Sequence, residues 1–262
     1  MRTYPEMELD RLLSRGRFVG DLTEHVLGLA GLQPGMRVLD AGCGGGDVAF
    51  VAARMVGPDG AVIGIDRDPA AIARARARAT LDNVRFLAVD AAEVDLGVPI
   101  DAVVGRQLLM HLAAPDAVLR HLRGLLAPGG LMAFQEPDWG GAGAHPHCPL
   151  VELTLDRIRE TLRRTGADPR AGLRLRQTLG AAGLAHPRAI LGARVEGGPD
   201  SLVYAELVAT TRDLLGDMER TGVAAPGEVA VETLAARLRE EVVSAGATVT
   251  SAHYIGAWGN ST

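Results

Sequence analysis

The chain contains no lysine. Its 27 basic side chains are all arginine and stand against 32 acids, for a formal net charge of −5. Arginine without lysine, in a chain rich in alanine and glycine, reads as a coding bias, so no arginine is singled out on residue type alone. No basic run occurs either, and a nucleic-acid partner, whose affinity rests largely on phosphate contacts, is not expected. Cysteine is nearly absent: Cys43 and Cys148 make neither a disulfide framework nor a metal-ligand spacing. No apolar run is long enough to cross a bilayer, and residues 1–10 are charged and lack the apolar centre of an export signal. A cytoplasmic protein is expected. Aromatic residues are scarce at 3%, so one placed in a loop, such as Trp139, draws attention. With 262 residues and 47% hydrophobic content the chain can bury one large core, and it is read as a single domain.

What is present is an alternation of periodicities. Residues 36–39, 61–65, 84–89, 100–105 and 131–135 are apolar runs of strand length, separated by helical stretches. Asp68-Pro69 and Pro115-Asp116 open two of those helices, with an acid and a proline in the first turn. Arg74, Arg76 and Arg78 on the first of them read as a solvated face. The pattern predicts an α/β fold, a mostly parallel sheet with helices on both faces. Ahead of it, residues 6–30 read as a helix broken near Gly16 and Gly20. Beyond it, residues 137–149 read as a loop, 151–162, 170–182, 202–218 and 228–243 as helices, and 188–195 and 248–258 as strands. The expected organisation is an N-terminal helical cap (1–30), a ligand-binding core (31–136), a substrate-side loop, strand and lid helices (137–247), and a final strand (248–262).

The core is organised around Val38-Leu39-Asp40-Ala41-Gly42-Cys43-Gly44-Gly45-Gly46-Asp47, a strand, a glycine turn and a helix start. Such a turn brings a ligand close to backbone and points helix N–H groups at it. A dinucleotide fingerprint would need a small residue where Asp47 stands, and Asp40 and Asp47 would repel a pyrophosphate. A phosphate-binding loop with Gly-Lys-Ser/Thr is absent. A cationic ligand without phosphate suits the turn, and S-adenosylmethionine is one. The next strands also lead into acids, Asp66 and Asp90. Ligands of open α/β sheets lie outside the carboxyl ends of the strands, so the three acids are expected at one crevice. Asp66 falls where a ribose-binding acid belongs, and Asp90 can accept from an exocyclic amine.

These residues resemble motif I and the following strand ends of the class I S-adenosylmethionine-dependent methyltransferases, of the ubiquinone/menaquinone-biosynthesis-like small-molecule type. The likeness covers residues 38–136, and Tyr254-Ile255-Gly256-Ala257-Trp258-Gly259 resembles the last strand of bacterial members. It implies a Rossmann-like, mostly parallel seven-stranded sheet with helices on both faces and a helical lid. It implies S-adenosylmethionine held by Asp40, Ala41, Gly42, Gly44, Gly46, Asp66, Asp90 and Ala91, with S-adenosylhomocysteine as product. Arg106 would touch the cofactor through its backbone. Arg67 either lies on the adenine face or is a surface arginine, and Tyr4 either covers the cofactor or packs.

The fourth strand end, Val104-Gly105-Arg106-Gln107, lacks the Asn/Asp-Pro-Pro-aromatic signature of DNA amino-methylating enzymes and the acid of metal-dependent O-methyltransferases. No Pro-Cys nucleophile appears. What remains is a metal-independent enzyme acting on a small molecule, a natural-product or quinone-like metabolite, as a monomer or homodimer. Two catalytic candidates stand at the strand ends. His111 either faces the methyl group as a base or orients its loop, and Glu136 either serves the acceptor or caps a loop. Trp139 is expected to wall the acceptor pocket, and His145, beside His147 and Cys148, to face the substrate. Two rivals stay open: a same-fold protein that binds the cofactor for pericyclic or dehydrative chemistry, and an NAD(P)-dependent oxidoreductase, which Asp40 and Asp47 disfavour.

Overall fold

A computed structural model of the chain describes residues 19–261. Its elements run α1 (residues 19–30), β1 (Arg37–Ala41), α2 (Asp47–Val56), β2 (Ala61–Asp66), α3 (Pro69–Arg78), β3 (Val84–Ala88), β4 (Ile100–Arg106), α4 (Pro115–Arg123) and β5 (Leu126–Asp138). They continue as β6 (Gly143–His145), α5 (Pro149–Arg164), α6 (Ala171–Ala181), β7 (Arg188–Gly192), β8 (Val195–Gly197), α7 (Leu202–Arg220), α8 (Val231–Ser244), β9 (Thr248–Thr250) and β10 (His253–Asn260). Close contacts gather these into two compact units. One takes residues 20–136, 171–191 and 255 onward, and the other takes residues 137–170 and 192–254 with Val19.

The first unit holds a seven-stranded sheet in the order β3-β2-β1-β4-β5-β10-β7. The strands from β3 to β5 are parallel, with Val38 beside Val62, Asp40 beside Val104 and Arg106 beside Gln135. At the far end of β10, Ser261 N–H donates to Gly130 O at 2.8 Å, which sets that strand antiparallel to β5. The strand order reverses between β1 and β4, so their carboxyl ends open a crevice, the place where such sheets bind ligands. Side chains alternate across the sheet. Val38, Val62, Val104 and Ala133 meet α1, α2 and α3 on one face, and Leu39, Val103, Met132 and Phe134 meet α4 and α6 on the other. Both faces are therefore apolar, as continuous runs in parallel strands require. Asp68 caps α3 as expected, its carboxylate accepting from Ala70 and Ala71 N–H.

The second unit holds an antiparallel three-stranded sheet, β6-β9-β8, with α5, α7 and α8. Here the structure departs from the sequence reading. The expected final strand is two strands, β9 in the small sheet and β10 in the large one. The break falls at Ser251, whose N–H donates to Arg194 O at 3.0 Å and whose hydroxyl turns to Ala252 O. The expected strand over 188–195 divides in the same way between β7 and β8. The loop over 137–149 contains a 3-10 turn, Trp139–Gly141, and β6. Residues 171–191, read as part of the substrate side, belong with the large sheet. α1 is helical from residue 19, so Gly20 lies in its first described turn, while Gly16 and Tyr4 lie outside the described residues.

One glycine in β4 is required by space. A Cβ on Gly105 would lie 2.6 Å from the Phe134 ring and 2.9 Å from Ala41 O. The backbone contact cannot yield without parting β1 from β4. Gly105→Ala should therefore cost about 1–3 kcal/mol, the range for overpacking a filled core; urea denaturation measures it, and an unchanged midpoint would contradict the packing described.

Candidate functional site

The glycine turn between β1 and α2 holds Gly42, Gly44 and Gly46 at φ of 69°, 51° and 90°, all in the left-handed region that glycine enters without strain. A Cβ on Gly42 would lie 2.9 Å from Leu108 Cδ1, so the loop after β4 presses on the turn. Cys43 N–H donates to Ile65 O at 2.8 Å and ties the turn to β2. The Cys43 side chain is buried, and burial pushes its thiol far above the usual range, so it is an inert filler. Arg78 closes the turn from outside, donating to Gly45 O at 2.8 Å and to Asp47 at 2.6 Å, with its guanidinium 5.4 Å from the Phe50 ring centroid. The ion pair is exposed and contributes little; the carbonyl contact fixes the turn. Arg78 thus stands on the exposed face of α3 and also braces the turn.

The three acids separate in role. Asp66 accepts Gly44 N–H at 3.0 Å on one oxygen and Asp68 N–H at 2.9 Å on the other, which aims the carboxylate and leaves each oxygen a lone pair. Asp90 accepts Ala92 N–H at 2.8 Å. Both line a cleft of about 190 Å³, with Gly42, Arg67, Ala91 and His111 and with Gln107 and Leu108 from the loop after β4. That volume lies below the usual range for whole ligands of about 300–1,000 Å³ and suits the nucleoside end of one. Asp40 is not in the open crevice. It is 0% exposed, and neither oxygen has a hydrogen-bond partner among the described residues. Burial pushes its carboxyl up to about 8, with Arg106 pulling partly back. Ala41 and Gly46 are buried beside it.

Arg106 turns its guanidinium away from the cleft. It donates to Thr23 Oγ1 on α1 at 3.1 Å and lies 3.6 Å from Asp47, while the Thr23 hydroxyl donates to Gln135 Oε1 at 2.6 Å. Gln135 Nε2 is buried without a partner among the described residues. Asp40, Arg106 and Gln135 share one face of adjacent strands by register, and two of them carry unsatisfied polar atoms. Buried polar groups are rarely left so. Thr23 and Gln135 were not foreseen, because nothing in the sequence pattern sets them apart from core-flanking polar residues.

His111 stands on the open rim of the cleft. Surrounding protein atoms first, and Arg67 second, hold its imidazole below the usual value, so it is neutral at pH 7. Glu136 is corrected from a candidate base to a loop cap. It is 0% exposed and accepts Leu108 and Leu109 N–H at 2.9 and 2.8 Å and Met110 N–H at 3.4 Å, leaving its carboxylate engaged. Trp139 is 4% exposed, a buried side chain of the second unit and not among the residues that line the cleft, its backbone N–H donating to Pro169 O at 2.9 Å and its carbonyl accepting from Arg159 at 3.0 Å. His145 is exposed on β6 opposite Thr248 in the same unit. Among the described residues no three His, Cys, Asp or Glu side chains are grouped so that they could hold a metal ion, and no helix is long and apolar enough to cross a membrane.

The buried Asp40 gives the ligand-free protein a pH signature. Its folded value, about 8, lies above the unfolded value of 3.8, so its contribution favours the folded state at low pH and is lost as pH rises through that window. Between pH 5 and 8 this group should weaken stability by up to ~1.4 kcal/mol per pH unit. Denaturation at stepped pH should show the slope in the wild type and a flatter one in Asp40→Asn; equal slopes would remove Asp40 as its source.

Comparison with known proteins follows the same lines. Residues 32–168 match the family model described as a methyltransferase domain. Aklanonic acid methyltransferase DauC of Streptomyces sp. (strain C5) is 37% identical over 155 residues, 56% of this chain and 65% of that protein. The 2-phytyl-1,4-naphtoquinone methyltransferase of Synechococcus elongatus is 37% identical over 136 residues, 48% of this chain and 55% of the other. The matched stretches thus span less than two thirds of these relatives. The crystal structure of the [4+2]-cyclase SpnF shares the fold, with 22% identity, 92% of this chain and 80% of that one covered, and a TM-score of 0.54. With more than half of its length matched, glycine turn and acid-lined cleft included, the chain belongs to the methyltransferase-domain family.

Proposed function

We propose that the chain transfers the methyl group of S-adenosylmethionine to a small-molecule acceptor, a natural-product or quinone-like metabolite, without a metal ion. One observation carries this reading: a single cleft at the strand ends gathers Gly42, Asp66, Arg67, Asp90, Ala91 and His111. In it, Asp66 accepts from the ribose hydroxyls, Asp90 from the adenine amine, and Arg67 lies along the adenine. Asp40 answers the ammonium, directly or through water. The cofactor supplies a methyl group already activated on a sulfonium. The chain's own work is then alignment and exclusion of water, with up to ~7–11 kcal/mol available from orientation. His111, kept neutral on the cleft rim, takes a proton from an acceptor that carries one. The names of the two relatives, an aklanonic acid methyltransferase and a 2-phytyl-1,4-naphtoquinone methyltransferase, support an acceptor of that kind.

Titration calorimetry with S-adenosylhomocysteine tests the cofactor. Asp66→Ala removes charge-assisted hydrogen bonds of roughly 1.5–3 kcal/mol each, so affinity should fall at least ~10-fold; unchanged affinity refutes the ribose role, and NAD(P)H binding in place of S-adenosylhomocysteine refutes the cofactor. Methyl-labelled cofactor with an acceptor panel tests the reaction. His111→Gln should lower label transfer by ~10²–10⁴ if His111 is the base, and the wild-type rate should fall only below the ordinary imidazole value near pH 6.5. Cofactor binding with no label reaching any acceptor would favour the pericyclic chemistry that the shared fold of the [4+2]-cyclase makes the leading rival.

A further inference from the structure

Gln107 has φ of 56° at the point where β4 ends, and it lines the cleft. Glutamine enters the left-handed region only under strain, and such a conformation persists when its surroundings over-determine it. The end of β5 supplies that hold. Gln135 O accepts Gln107 N–H at 2.9 Å, and the buried Glu136 carboxylate accepts the next three N–H groups, those of Leu108, Leu109 and Met110. The first of these, Leu108, lines the cleft and presses against Gly42 of the glycine turn. The residue after the last of them is His111. Three converging N–H dipoles call for an acceptor-only group, and a carboxylate is one, whereas an amide would set its own NH₂ against them.

We infer that Glu136 is a positioning residue: it holds the strained strap 107–110, so that Leu108 walls the cleft and His111 stands on its rim. Glu136 neither touches the ligand nor moves a proton; it acts through the strap. The effect on cofactor affinity rests on the cleft being the cofactor site, while the effect on His111 does not.

Two variants and two readouts test this. The variants are Glu136→Gln and the pair Gln107→Gly with Glu136→Gln. The readouts are calorimetric affinity for S-adenosylhomocysteine and an NMR titration of His111 in the ligand-free protein, assigned with His111→Gln. Glu136→Gln should weaken affinity about tenfold and move the His111 titration toward the ordinary imidazole value. Adding Gln107→Gly, which takes the left-handed conformation without strain, should restore much of both. If Glu136→Gln fails to fold, folding of the pair is the same rescue. A Glu136→Gln protein with a lower Tm but unchanged affinity and unchanged His111 titration would overturn the proposal, as would a pair no better than Glu136→Gln alone. Should wild-type protein not bind S-adenosylhomocysteine, the cofactor reading falls and the His111 titration still decides the role of Glu136.

Discussion

The constraint on which this structure depends is the closeness of backbone at one turn. Three left-handed glycines within residues 42–46 remove the side chains that would hold neighbours away. Ile65 O, Leu108 and Arg78 all reach the turn as a result, from β2, from the loop after β4 and from α3. The space left beside it is the cleft. The electrostatics follow the same logic, because the acids that flank the turn disfavour a phosphate there, and burial beside it pushes the Asp40 carboxyl up against the pull of Arg106. Fold and site are thus one arrangement, with the carboxyl ends of parallel strands delivering every loop that the cleft needs.

Much of this was legible in the sequence, and for physical reasons. Buried parallel strands write themselves as short apolar runs, and a glycine turn can sit only where β1 hands over to α2, so the sheet and the turn could be read locally. That Asp66 and Asp90 line one cleft followed from the rule that loops at the carboxyl edge of a parallel sheet meet in one crevice. What was not legible depends on distant partners. Glu136 reads equally as a base or a cap until Leu108, Leu109 and Met110 are seen to point their N–H groups at it. Arg78 is one of three arginines spaced evenly on α3, and only the turn's position marks it out. Trp139 stood out by scarcity, but scarcity does not distinguish a pocket wall from a small core. The break of the last strand at Ser251 turns on hydrogen bonds to Arg194, fifty-seven residues earlier in the chain, which no local pattern records.

The end of β5 shows how a sheet can shape a site without contributing a reacting group. Gln135 and Glu136 point in opposite directions by strand alternation. Gln135 meets Thr23 and the Arg106 neighbourhood on one face, and Glu136 meets the strap on the other. Adjacent residues of one strand therefore brace a helix and a loop at once, and each carries its polar group into a buried setting where a mispaired atom is costly.

The small antiparallel sheet has a consequence for anyone who would cut or exchange parts of this chain. Its strand β6 comes from the segment 137–170, while β8 and β9 come from the segment 192–254, and α6 and β7 of the other unit intervene. Neither segment carries a complete sheet. The small sheet is built from two segments that must be transplanted together, so a single-crossover chimera between homologues would divide a hydrogen-bonded ladder rather than swap a module.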